Sequence, residues 1–86
     1  KGIRNGIMID ENQVINIISK ALDMKSSLVT IDSSSENIEE WDSLAHLSIL
    51  VALDQWLNGQ AGKISDLATA TSVKEIVDLL NKNIDD

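Results

Sequence analysis

The chain has 86 residues and carries 14 acids against 7 bases, a net charge of −7, with neither cysteine nor proline. That is one small domain braced neither by disulfides nor by a thiolate metal site, so helix packing must hold it. The acidic balance argues against an unaided nucleic-acid binder. No apolar run approaches the ~20 residues that span a bilayer and no signal-peptide pattern is visible, so the expected location is cytoplasmic.

Residues 1–8 read as a tag remnant or disordered leader, with Met8 a candidate start, leaving a domain over 9–86. Asp10 with Gln13 three residues on has the form of a capping box. Val14, Ile17, Ile18, Ala21 and Leu22 follow at helical spacing and predict a helix over about 11–22. Residues 23–42 form a connection long enough to be functional or disordered, with Leu28, Val29, Ile31 and Ile38 expected to pin it to the core.

At Asp42-Ser43 the chain turns from acidic loop to amphipathic helix, and both residues suit the N-cap. Leu44, Leu47, Leu50 and Val51, with Ile49, Leu53 and Leu57, recur at spacings of three and four. They predict a helix over 43–57 with one long buried face. On that reading Leu47→Asp unfolds the domain, and Ser43→Ala costs about 1 kcal/mol as a lost cap. Asn58-Gly59 tolerates the left-handed conformation that ends a helix. Residues 60–63 read as loop, and 64–68 as one short helical turn. Ser72 to Glu75 is a second capping box opening a helix over 72–82, carried by Val73, Ile76, Val77 and Leu80, with 81–86 expected to fray. The fold class is all-α: a small four-helix bundle of three main helices and one short one, with a long first loop.

Several residues here suggest chemistry. Ser43 taken alone reads as a cap. His46 lies three residues after Ser43 and four after Asp42, yet neighbours on one exposed helix offer no cleft for a nucleophilic triad, and further metal ligands are missing at useful spacing. His46 is expected instead as a solvent or partner contact, Trp41 as a cover over the top of the bundle, and Trp56 as core. The run from Asp32 to Asn37 lacks the glycine of a calcium loop and has Ser43 where the twelfth-position Glu would stand, so it is rejected. Glu36, Glu39, Glu40 and Asp42 cluster before the helix, and Asp54 lies near its end. Such groups are ordinarily solvated surface.

Trp41-Asp42-Ser43-Leu44, followed by His46-Leu47 and Ile49 to Asp54, resembles the Asp-Ser-Leu segment of acyl and peptidyl carrier proteins. The likeness is strongest over 38–57 and weaker over 64–82. It implies a carrier-like bundle whose long first loop precedes the modified serine, without catalytic activity of its own. Ser43 would receive 4′-phosphopantetheine from coenzyme A, and the thiol of that arm would carry an acyl or aminoacyl group as a thioester. Asp42 and Leu44 would be read by the phosphopantetheinyl transferase and other partners. Glu39, Glu40, His46, Leu47 and Asp54 would face acyl-loading, synthase and acyltransferase enzymes with basic docking patches, the carrier itself being a monomer. Ala45, His46, Ser48, Ala52 and Gln55 occupy positions often more acidic in fatty-acid carriers. The resemblance therefore points to a dedicated carrier of a specialised fatty-acid, polyketide, peptide or glycolipid pathway. The alternative is an acidic helical interaction module without a prosthetic group.

Overall fold

A computed structural model describes residues 10–84. The leader expected over 1–8 lies outside them. Three helices, α1 (Glu11–Ala21), α2 (Ser43–Trp56) and α3 (Val73–Ile84), are joined by loops that contain short 3₁₀ turns at Ser26–Leu28, Ala61–Lys63 and Ser65–Thr69. No strand forms among the described residues; one isolated antiparallel bridge pairs Ser34 with Ser72. The fold is a small all-α bundle, as expected.

In α1, Asp10 is the N-cap and its carboxylate accepts the Asn12 N–H at 2.9 Å. Val14 and Ile18 are fully buried and Leu22 nearly so, which is the predicted stripe. The helix ends where Asp23 takes a left-handed φ of 59°. Its N–H bonds to Lys20 O, and the Met24 N–H reaches back to Ser19 O at 2.8 Å, closing the last turn. The second helix ends the same way, with Asn58 at φ 54° and the Gly59 N–H on Asp54 O at 2.8 Å.

The long connection is held by its own short polar side chains. Ser33 Oγ accepts the Thr30 N–H, Asn37 Oδ1 accepts the Ser34 N–H, and Asn37 Nδ2 donates to Asp32 O. These are the local bonds that let Ser, Thr and Asn replace regular structure. Two backbone bonds, Ser35 N–H to Thr71 O and Val73 N–H to Ser33 O, then tie the loop to the start of α3. Val29 and Ile38 pin it to the core as expected, but Leu28 stands 60% exposed.

The buried face of α2 corrects the sequence reading. His46, Ile49 and Leu53 point inward, while Leu44, Leu47 and Val51 are 75%, 58% and 56% exposed. Apolar residues surround this helix almost completely, so their spacing could not select a face; packing against α1 and the 3₁₀ turns does. With Leu47 outside, the expected unfolding by Leu47→Asp loses its basis.

From the end of α2 into the first turn of α3, Ala61, Ile64, Leu67, Ala70, Val73 and Ile76 are all buried. Their spacing of three matches the period of 3₁₀ turns. Thus residues 61–63, read from sequence as plain loop, form such a turn. Ser72 opens α3: its hydroxyl accepts the Glu75 N–H and donates to Glu75 Oε1, both at 3.2 Å. The helix continues to Ile84, past the expected end at 82, and Asn83 Nδ2 caps Leu79 O at 2.8 Å.

Candidate functional site

Asp42 and Ser43 divide the work at the start of α2. Asp42 is the N-cap, its backbone extended and its Oδ1 accepting the Ala45 N–H at 2.9 Å. Ser43 is the first helical residue, exposed, and its hydroxyl has no hydrogen-bond partner among the described residues. The expectation that Ser43 caps the helix is therefore corrected: the carboxylate does so, and the hydroxyl is left for solvent. The N–H groups of Ser43 and Leu44 likewise find no acceptor among the described residues, so this end of the helix presents free donors and the positive end of its dipole.

Ser43 borders an open groove of about 570 Å³ between α2 and the Ser65–Thr69 turn. Trp41, Leu47, Leu50 and Ala68 supply its apolar walls, and Ser35 and Thr71 its hydroxyls. A second hollow of about 420 Å³ shares Leu50 and Ala68 and continues along α2 to Asp54 and Gly62.

His46 is not a surface contact, which corrects the partner-facing role expected of it. It is 8% exposed and held from both sides. Its Nδ1 lies 3.1 Å from Trp41 Nε1, and its Nε2 lies 2.9 Å from the Leu67 carbonyl oxygen. A carbonyl can only accept and an indole N–H can only donate. The imidazole therefore carries its proton on Nε2 and accepts at Nδ1, which makes it the neutral tautomer with both nitrogens satisfied. The two rings lie nearly parallel, 19° apart with centroids 6.2 Å distant. Trp41 is 3% exposed and covers this end of the bundle. Neither imidazole nitrogen is bonded to Ser43 or Asp42, so the three side chains do not form a nucleophilic triad.

Of the other expected contacts, Glu39, Glu40, Asp42, Leu44 and Leu47 are exposed near Ser43. Asp54 is engaged inside the chain, its Oδ1 accepting the Gly62 N–H at 2.8 Å. Trp56 is half-buried against the core. No group of three or more metal-ligating side chains comes together among the described residues, and no helix there is long and apolar enough to cross a membrane. Sequence reasoning missed the Trp41–His46–Leu67 bridge and the Ser35 and Thr71 walls. The bridge had one visible signal, a lone histidine one turn into a helix whose preceding residue but one is tryptophan. Comparison with protein-family models, with curated proteins and with solved structures gave no match.

Proposed function

We propose that the chain is a carrier domain that receives 4′-phosphopantetheine on Ser43 and presents a covalently held acyl or aminoacyl group to biosynthetic enzymes. One observation carries this reading: Ser43 offers an exposed hydroxyl, unbonded among the described residues, at the N-terminus of a 14-residue helix, on the rim of a groove with apolar walls. The resemblance of Trp41 to Asp54 to the Asp-Ser-Leu segment of carrier proteins points the same way. The residues fit the group. A phosphodiester on Ser43 Oγ would sit beside the free N–H groups of Ser43 and Leu44, which favour negative charge. Asp42 fixes the helix start from which the hydroxyl projects, and the bound arm supplies a thiol for thioester chemistry.

The exposed face of α2 qualifies the partner surface. Between Ser43 and Val51 it carries Leu44, Leu47, Ser48 and Val51 and no charged side chain, while Glu39, Glu40 and Asp42 gather at its N-terminal end. The fitting partner is an enzyme with an apolar depression and a basic rim at one end, met by three helical anchors. A specialised carrier fits this surface better than one read by charge along the whole helix.

The test is intact-protein mass spectrometry after incubation with coenzyme A, Mg²⁺ and a broad-specificity phosphopantetheinyl transferase. The expected result is a gain of one phosphopantetheine mass, absent in Ser43→Ala. No gain with several transferases overturns the carrier reading, and the exposed Leu44, Leu47 and Val51 then mark the chain as a helical interaction module.

A further inference from the structure

Resting on the carrier reading of Ser43, we infer that the Trp41–His46–Leu67 bridge is a latch that sets the class of cargo: it closes the bundle behind the groove, so the group presented by Ser43 is short or polar and stays outside. Trp41 and His46, two members of the bridge, line the groove that Ser43 borders. His46 lines the groove, and Ile49, Leu53 and Leu67 belong to the core, essentially without solvent exposure. The groove lies between α2 and the Ser65–Thr69 turn, and the His46 Nε2 bond to Leu67 O joins those two elements directly.

Opening that seam breaks two buried hydrogen bonds. It leaves the Trp41 N–H, the imidazole and the Leu67 carbonyl facing a chain that neither donates nor accepts, and a buried polar group without a partner is the costly case. With an apolar side chain at position 46 the Trp41 N–H and the Leu67 carbonyl would already be unpaired in the closed bundle, so parting the seam would break no hydrogen bond. The groove itself offers a different welcome. Leu47, Leu50 and Ala68 give its lining an apolar part, and the hydroxyl-bearing residues Ser35 and Thr71 belong to the same lining. That mixture matches a short acyl group bearing a hydroxyl, keto or amino substituent better than a long hydrocarbon.

The test uses the full chain loaded at Ser43 with hydrolysis-resistant acetyl and octanoyl pantetheine amides, each loading verified by mass. Wild type, His46→Leu and Trp41→Phe are compared by backbone amide chemical shifts and thermal unfolding. In the wild type, octanoyl and acetyl forms should give the same resonances for Ile49, Leu53 and Leu67 and the same Tm, with shifts confined to the groove. In His46→Leu the octanoyl form should move those core resonances and raise Tm relative to the acetyl form. Trp41→Phe, which keeps ring and imidazole and removes one donor, should do so in part and carries the test if His46→Leu does not fold. Core shifts with octanoyl in the wild type, or none in either variant, overturn the latch while leaving the carrier reading intact. Failure of every form to load is a separate observation that removes the carrier reading and this inference with it.

Discussion

The indole N–H of Trp41 donates to Nδ1 of His46, and the opposite nitrogen of that imidazole meets the Leu67 carbonyl, so one buried side chain joins the loop before Ser43, helix α2 and the 3₁₀ turn across the groove. A hydrogen-bonded histidine in this place is a structural keystone of the site end. Its two bonds fix where the groove's walls stand relative to the serine.

Replacing His46 should therefore destabilise the domain. His46→Leu keeps bulk but leaves the Trp41 donor and the Leu67 acceptor buried and unpaired, for an expected loss of about 2–4 kcal/mol. Trp41→Phe removes one bond and should cost about 1–3 kcal/mol. Urea unfolding of both single variants and the double variant should show a coupling of at least ~0.5 kcal/mol, the sign of residues that share a contact. Additive losses would mean that the pair does not act as a unit.

The two faces of α2 should respond oppositely to charge. Ile49 is fully buried, and Ile49→Asp should abolish the cooperative thermal transition by placing an unpaired carboxylate in the core. Leu47→Asp, on the exposed face, should shift stability by no more than about 0.5 kcal/mol. It should instead weaken capture by a partner enzyme. Circular dichroism melts of the pair decide the matter: an unfolded Leu47→Asp would restore the face that apolar spacing first suggested.

Cap and attachment point should separate. Asp42→Ala loses the bond to the Ala45 N–H and should cost about 1 kcal/mol, whereas Ser43→Ala should be nearly neutral to stability, within ~0.5 kcal/mol. Only the serine variant should lose the acceptor oxygen outright. Thermal unfolding and transferase assays run on the same preparations would expose an error, since a large loss of stability in Ser43→Ala would show a structural hydroxyl.

How far the sequence could be read depended on whether its pattern was exclusive. In α1 and α3 apolar residues occupy one stripe and polar residues the rest, so spacing alone found Val14 and Ile18, or Val73, Ile76 and Leu80, as core. Caps were legible for the same reason, because Asp10 and Ser72 have short oxygens just before those stripes. The second helix was opaque, since leucine, isoleucine and valine lie on both sides and a histidine fills a core position. No local rule gives His46 an inward direction; it becomes satisfiable only when the chain brings Leu67 O to one nitrogen and Trp41 to the other. The run of buried residues at every third position from Ala61 to Ile76 was visible in principle. It was missed because a period of three is seldom sustained outside short turns. Ser43 stood out by its flanking residues, while its exposure, and a hydroxyl unbonded among the described residues, follow from the way Asp42 takes over the cap.

Asp54 provides the last test, because docking and structure make different demands on it. Its Oδ1 accepts the Gly62 N–H at 2.8 Å, which ties the end of α2 to the Ala61–Lys63 turn, and Ala61 is buried beside it. Asp54→Ala should loosen that turn, costing about 1–2 kcal/mol for a charge-assisted bond and speeding hydrogen exchange at the Gly62 amide. Asp54→Asn retains a carbonyl oxygen in place and should recover most of that stability while discarding the charge. Gly62→Ala applies the complementary strain, since a Cβ there would stand 3.2 Å from Asp54 Oδ1 and push the carboxylate aside. If Asp54 served only to meet a basic partner, both substitutions of it would leave the melting transition unchanged and would weaken partner binding alike. Loss of stability in Asp54→Ala with recovery in Asp54→Asn would assign the residue to the architecture of the groove's far end.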